Sequence, residues 1–334
     1  MHQTSHKTGS GIFPVAFFFM TTIFPLAGFT QSAAPADSLN QQIFQVIRSG
    51  KADRLNDLLS AGANPNTADH GMTALMAGAL NGTKEQMELL ISRGAAVNAI
   101  DSDGITALWY SVPDYDKINL LLQHGADPKL HSKQGYTVLA KLANYPGTSN
   151  IFRLLMAHGA NPRNSEPDNT LLYNAASSGD TALVSMLLKN GLNINDTVAL
   201  GDYPINSALN FRCFAMVKML VDRGADVNRT PMHFPLDLIN GITPLMFAAV
   251  SNDSLSFFYL LDHGADPGAK SKRGYTVLMY VQQAEKEEPA MTRALLDRGA
   301  DPLVKAPDGT DALSLARLKG NTQTFGMLKE YTHK

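Results

Sequence analysis

A glycine followed by a small residue and a turn recurs eight times along this chain, most often as G-A-[DN], at a nearly constant interval. The copies begin at Gly62, Gly94, Gly125, Gly159, Gly191, Gly224, Gly264 and Gly299, with steps of 32, 31, 34, 32, 33, 40 and 35 residues. A period near 33 residues means one structural unit repeated and stacked, and it overrides the two-domain expectation that 334 residues would otherwise carry.

A second pattern runs in phase with the first. It reads G-M-T-A-L at Gly71, G-I-T-A-L at Gly104, G-Y-T-V-L at Gly135, G-I-T-P-L at Gly241 and G-Y-T-V-L at Gly274, with degraded copies at Asp168, Gly201 and Gly309. Between the two motifs the residues explain themselves. In Thr73 to Gly94, Thr73 caps a first short helix carrying Leu75, Met76 and Ala79; Gly82 breaks it; Met87, Leu90 and Ile91 give a second helix its apolar stripe. Gly94 then ends that helix, because glycine takes the left-handed conformation without steric cost. One such pair buries too little to fold alone, so stability becomes a sum over stacked neighbours. Leucines recurring at one phase (Leu120 to Leu122, Leu154-Leu155, Leu187-Leu188, Leu260-Leu261, Leu295-Leu296) are the expected core between repeats. Gln41 to Asn66 lacks the T-x-L start and suits an N-terminal cap, and Gly309 to Lys334, with its polar end, suits the opposite cap.

These paired motifs resemble the ankyrin repeat, whose first helix starts T-P-L-H-x-A-A and whose second ends L-L-x-x-G-A-D-x-N. The resemblance spans 40–334 and implies an all-α, ankyrin-repeat solenoid of eight to nine helix pairs with short β-hairpin fingers. It also implies protein binding through the fingertips and first helices of a concave face. Carried over by register, the residue between Gly and Thr is a fingertip: Met72, Ile105, Tyr136, Ile242 and Tyr275, all expected to be exposed. The positions after the paired alanines supply Leu80, Tyr145, Phe211 and Val250. Large apolar side chains at one repeated phase are what interface hot spots are made of, although fingers can also pack on one another. The 40-residue step places its surplus between Asn228 and Gly241, a lengthened finger carrying Met232, Phe234, Leu236, Leu238 and Ile239. A second surplus, Gln282 to Pro289, is charged and reads as a longer, solvated helix.

Ahead of the repeats, Ile12 to Phe29 holds no charge and six phenylalanines, followed by small and polar residues from Thr30 to Ala36. This reads as a secretory signal peptide over 1–33 and a linker over 34–39, with an uncleaved inner-membrane anchor as the alternative, since 18 largely apolar residues reach the lower limit for spanning a bilayer. The expected location is therefore a bacterial periplasm, with no membrane contact after cleavage. The resemblance extends to bacterial exported ankyrin proteins, among them antidotes to toxic enzymes and helpers of periplasmic catalase; an envelope scaffold is the alternative function.

With 17% charged residues and a net charge of −2, the chain carries no polycationic surface for nucleic acid. No nucleotide loop or calcium loop has the required spacing, and no cofactor, metal or small-molecule ligand is expected. His124, His158 and His263 share the phase just before the G-A motif, where an imidazolium complements the helix dipole. Cys213, the only cysteine, excludes an internal disulfide and reads as half-buried structure at the start of a second helix. Arg212 stands where the pattern has glycine and is expected to distort that turn. No catalytic constellation stands out, so the chain reads as a non-enzymatic binding module; an enzyme would need a site assembled in space between repeats.

Overall fold

The G-A motif is a helix terminator, and in the computed structural model each copy closes in the same way. At the first complete repeat, Gly94 adopts φ +89°, its N–H donates to the Ile91 carbonyl at 3.0 Å, and the Ala95 N–H reaches back to the Leu90 carbonyl at 2.9 Å. That is the Schellman pattern, in which a left-handed residue satisfies the carbonyls a helix end would orphan. The small residue after glycine is buried, at Ala95 as at Ala126, Ala225 and Ala265. The Asp or Asn after it accepts the N–H two residues on, as Asp127 does from Lys129 and Asp226 from Asn228, both at 2.9 Å. These side-chain turns aim the chain into the next finger.

The structure describes residues 35–164, 170–198, 201–230 and 241–332. Among them are nine helix pairs: α1 (Pro35–Ser49) with α2 (Ala52–Ser60), α3 (Ala74–Asn81) with α4 (Lys84–Ser92), α5 (Ala107–Tyr110) with α6 (Tyr115–Gln123), α7 (Val138–Leu142) with α8 (Ser149–Ala157), α9 (Thr170–Ser177) with α10 (Thr181–Lys189), α11 (Pro204–Asn210) with α12 (Phe214–Asp222), α13 (Pro244–Val250) with α14 (Ser254–Asp262), α15 (Val277–Gln283) with α16 (Pro289–Asp297), and α17 (Ala312–Lys319) with α18 (Thr322–Tyr331). Each first helix packs on the first helix of the next repeat and each second helix on the next second helix, giving two parallel rows. The fingers hold one short antiparallel ladder, β1 (Ala68–Asp69) with β2 (Met72–Thr73), and isolated bridges such as Ile100 with Thr106. Among the described residues no helix is long and apolar enough to cross a membrane; the apolar stretch Ile12 to Phe29 and the rest of the expected signal segment lie outside them.

The core follows the motif. The leucine four residues before the terminating glycine is fully buried at Leu90, Leu121, Leu155, Leu187, Leu220, Leu260 and Leu295. Leu154 and Leu188, expected in the same layer, are only half-buried, whereas Leu122, Leu261 and Leu296, in the place of Leu188 in their own repeats, are buried. Thr73 caps α3 by accepting the Met76 N–H at 3.2 Å, and Thr243 and Thr276 cap their helices in the same way.

Three local expectations change. The stretch expected as a linker over 34–39 is helical from Pro35, as the first part of α1. The charged surplus Gln282 to Pro289 does not form one longer helix: α15 stops at Gln283, and Pro289 opens α16, so the intervening chain must turn. Its Gln282 is buried and accepts the Thr324 hydroxyl at 2.8 Å, while the Glu287 carboxylate accepts the Thr324 N–H at 2.8 Å and so caps α18 from the preceding repeat. Arg212 does not distort its turn; it takes φ +52°, a conformation glycine would adopt more cheaply.

Candidate binding surface

Finger stacking decides which side chains are presented. Several fingers rest on the next through their glycine: the Lys133 N–H donates to the Asp103 carbonyl at 2.8 Å, and a Cβ on Gly104 would lie 3.1 Å from that nitrogen. This close approach buries part of what the sequence places at the tips. Ile242 is only 3% exposed and Tyr275 8%, so these two are packing residues and not presented anchors. Tyr275 uses its hydroxyl to donate to the Asp308 carboxylate of the following finger at 2.9 Å, with the Arg273 guanidinium over its ring at 5.2 Å. Met72, Ile105 and Tyr136 are half-buried, each keeping an edge toward solvent. Their backbones are fixed: the Ile105 N–H donates to the Asp101 carboxylate at 2.9 Å and the Tyr136 N–H to the Ser132 hydroxyl at 3.3 Å. The long finger with Met232 and Phe234 lies outside the described residues.

The ends of the first helices are more open. Phe211 is 56% exposed and Leu80 45%, while Tyr145 and Val250 are half-buried. Phe211 is the C-cap of α11, immediately before left-handed Arg212. These positions fall in two adjacent registers at the ends of the first helices, Leu80 and Val250 nine residues after the finger glycine and Tyr145 and Phe211 ten. A presented surface therefore runs through Met72, Leu80, Ile105, Tyr136, Tyr145 and Phe211.

Sequence reasoning missed a cluster on the same row. The Lys141 ammonium donates to the Trp109 carbonyl at 2.9 Å and sits 5.7 Å from the Trp109 ring and 5.9 Å from that of Tyr110. Burial pushes this lysine down to about 8. The Tyr110 hydroxyl donates to Asp101 at 2.8 Å, and burial, then that carboxylate, raises its pKa. The signal was an aromatic pair and a lysine at first-helix positions where other repeats carry Met76, Ala77 or Ala140. A buried carboxylate, Asp202, occupies the fingertip register of its own repeat; it accepts from the Asn206 amide at 2.7 Å and the Tyr173 hydroxyl at 3.2 Å, and burial raises its pKa. It joins neighbouring first helices.

The repeats are also clasped at the finger bases. Asn98 donates to the Gly125 carbonyl at 2.9 Å and accepts the Asp127 N–H at 2.8 Å. Asn66, Asn195 and Asn228 make the same pair of bonds to the next repeat. Lys129, Arg163, Gly268 and Leu303 hold that position elsewhere, and Arg163 makes one replacement bond, from Nε to the Asn190 carbonyl at 3.1 Å.

His124, His158 and His263 are the exposed C-caps of α6, α8 and α14. Cys213 is half-buried at the start of α12. A surface cleft of about 280 Å³ is lined by Pro162, Arg163, Leu172, Gly191, Leu192, Asn193 and Asp196.

Comparison with known proteins agrees with this architecture. The family model "Ankyrin repeats (3 copies)" matches residues 43–132, 113–198 and 137–231, and the single ankyrin repeat model matches 240–272. The chain is 24% identical over 253 residues to a putative ankyrin repeat protein of Acanthamoeba polyphaga mimivirus, covering 72% of this chain and 32% of that protein. It is 34% identical over 134 residues to a putative ankyrin repeat-containing protein of Treponema pallidum, covering 38% of this chain and 44% of that one. Against the human ankyrin repeat and SOCS box protein 6 it is 30% identical over 168 residues, covering 48% of this chain and 38% of the relative. The chain thus spans between about a third and just under half of these relatives' lengths. Eight terminated repeats, nine stacked helix pairs and the family models converge: the chain belongs to the ankyrin repeat family.

Proposed function

We propose that the chain is a non-enzymatic module of the periplasm that captures one partner protein along its finger and first-helix rows and acts as an antidote to, or helper of, a periplasmic enzyme. Ankyrin repeats are protein-interaction modules, which gives the coarse function; the exported location rests on the uncharged Ile12 to Phe29 stretch and the small residues after it. The observation that carries the binding face is the exposure of Phe211 and Leu80 at the ends of their first helices, together with the half-buried edges of Met72, Ile105, Tyr136 and Tyr145. Beside a core leucine that is fully buried in seven repeats, a phenylalanine ring at 56% exposure is apolar surface open to a partner. Such rings are the usual anchors of protein interfaces.

The test begins with tagged chain expressed in its own host, cross-linked in the envelope, and the captured protein identified. Affinity is then measured for wild type and Phe211→Ala, and the tagged chain's N-terminus is sequenced. The reading expects one dominant partner, a clear loss of affinity with the melting temperature unchanged, and an N-terminus between Gln31 and Asp37. Normal affinity in Phe211→Ala together with Leu80→Ala removes the binding face, and an intact Met1 in the cytoplasm removes export.

A further inference from the structure

The side-chain bonds that tie one repeat to the next are unevenly spread along the stack. Four boundaries carry the asparagine clasp, at Asn66, Asn98, Asn195 and Asn228. Where the clasp is absent, other side chains cross instead. Between the third and fourth repeats the Lys141 ammonium reaches the Trp109 carbonyl at 2.9 Å. Between the seventh and eighth, where Gly268 holds the clasp position, Arg298 pairs with Asp262 at 2.7 Å and the Asn252 amide donates to the Glu288 carboxylate at 3.1 Å. Between the eighth and ninth the Thr324 hydroxyl donates to Gln282 at 2.8 Å and the Tyr331 hydroxyl to Asp297 at 2.9 Å.

The boundary between the fourth and fifth repeats is different. Among the described residues the side-chain bond across it is the one from Arg163 Nε to the Asn190 carbonyl at 3.1 Å, and the cleft of about 280 Å³ lined by Pro162, Arg163, Leu172 and Leu192 opens between the two repeats. The apolar flanks are loose as well: Leu154 and Met156 on α8 and Met186 and Leu188 on α10 are half-buried, whereas Leu120 and Leu122 on α6 are buried. In the first-helix row, α9 packs far more closely on α11 than on α7. Pro146 bars α7 from running a turn further, and its five residues leave little to pack. Neither α7 nor α8 receives a side-chain N-cap, and the Thr137 hydroxyl at the start of α7 is buried with no partner, which costs the repeat stability.

A stack whose stability sums unit and interface contributions loses its cooperativity first at its weakest interface. We infer that the array is jointed between its fourth and fifth repeats, so that α1 to α8 and α9 to α18 are two cooperative blocks that part at this boundary before the whole array unfolds. Ile105 and Tyr136 lie on the first block and Phe211 on the second, so movement at the joint changes the spacing between apolar groups along the finger and first-helix rows. A rigid stack would hold that spacing fixed; a jointed one adapts it. The inference stands on the packing of the stack and holds whether or not that face takes a partner.

The test destabilises one block of the full chain and reads where the damage stops, by hydrogen exchange of individual helices. Leu260 on α14 and Leu90 on α4 are fully buried, one in each block. Leu260→Ala should lower the protection of α10, α12, α14 and α16 at least about tenfold while α4, α6 and α8 stay within about twofold of wild type. Leu90→Ala should do the reverse. If Leu260→Ala leaves its own block unfolded altogether, retained protection in α4 to α8 is the same result. Arg163→Asn, which places a clasp amide at the joint, should narrow the difference between the blocks in the Leu260→Ala background about two- to tenfold, the worth of one added hydrogen bond. Protection lost evenly along the whole array overturns the inference. So does a loss that stops at another boundary, such as the one at Gly268, and so does an Arg163→Asn/Leu260→Ala chain that exchanges as Leu260→Ala does.

Discussion

Replacing Asn98 by alanine isolates what holds one repeat to the next outside the leucine core. The side chain donates to the Gly125 carbonyl at 2.9 Å and accepts from the Asp127 N–H at 2.8 Å, bridging the ends of two second helices. Each such bond contributes about 0.5–1.5 kcal/mol net, because folding exchanges it for a bond to water. The site is exposed, so water can reach the freed groups, and the two bonds together should be worth about 1–2 kcal/mol. Nothing apolar is lost, so no cavity adds to that figure. The reverse change is available one repeat on, where Lys129 occupies the clasp position: Lys129→Asn places an amide within the same reach of Gly159 and Asn161 and should recover up to about 1–2 kcal/mol. Urea unfolding followed by circular dichroism and by Trp109 fluorescence gives both numbers. Stability in a repeat array is a sum over units and interfaces, so the two effects should be opposite in sign and similar in size. If Asn98→Ala unfolds within about 0.3 kcal/mol of wild type, the clasp is decoration, and the spread of measured hydrogen-bond values does not rescue it.

Three further outcomes follow from individual side chains. Arg212→Gly should stabilise by about 0.5–1 kcal/mol, since it removes a left-handed penalty of about 1–2 kcal/mol against the greater unfolded-state entropy of glycine; urea midpoints decide it, and destabilisation would mean that the arginine side chain makes contacts that matter. Leu187→Ala should cost about 2–5 kcal/mol through a cavity in a fully buried layer, whereas Phe211→Ala should leave the melt within about 0.5 kcal/mol, and a reversed ranking would reverse the assignment of core and surface. Burial lowers Lys141 from 10.5 to about 8, so between those values the unfolded chain binds more protons than the folded one and stability rises with pH. Unfolding of wild type compared with Lys141→Met from pH 7.5 to 9.5 should show that rise only in wild type, and parallel curves would refute it.

The terminators were legible in the sequence because each residue in them has a local job. Glycine supplies the left-handed angle, alanine fits the buried place after it, and Asp or Asn closes its own turn, so the motif survives without reference to the rest of the chain. Core leucines were legible to the turn of helix but not to the residue, as Leu188 against Leu187 shows. Finger burial was not legible, since it depends on how closely the next finger approaches: Ile242 and Tyr275 share a register with Ile105 and Tyr136, yet the first two are covered and the second two keep an edge. The Gln282 to Pro289 stretch was misread for a related reason. Its charge looked solvated, but Gln282 and Glu287 satisfy buried and helix-terminal groups of a repeat some forty residues further on, a partnership no local pattern encodes. The Lys141 cluster was missed because lysine at a helical position ordinarily marks a wet face, and only the packed Trp109 and Tyr110 rings make it dry.

The most direct test of the central claim, that fingers and first helices receive the partner, is hydrogen exchange of the chain alone and with its captured partner bound. Amides at the finger tips 101–105 and 132–136 and at the α11 terminus around Phe211 and Arg212 should gain protection, with the second helices α6, α8, α10 and α12 unchanged. Protection confined to the second-helix row, for example around the edge-to-face Phe214 and Tyr259 rings on α12 and α14, would put the partner on the opposite side of the stack and contradict the account.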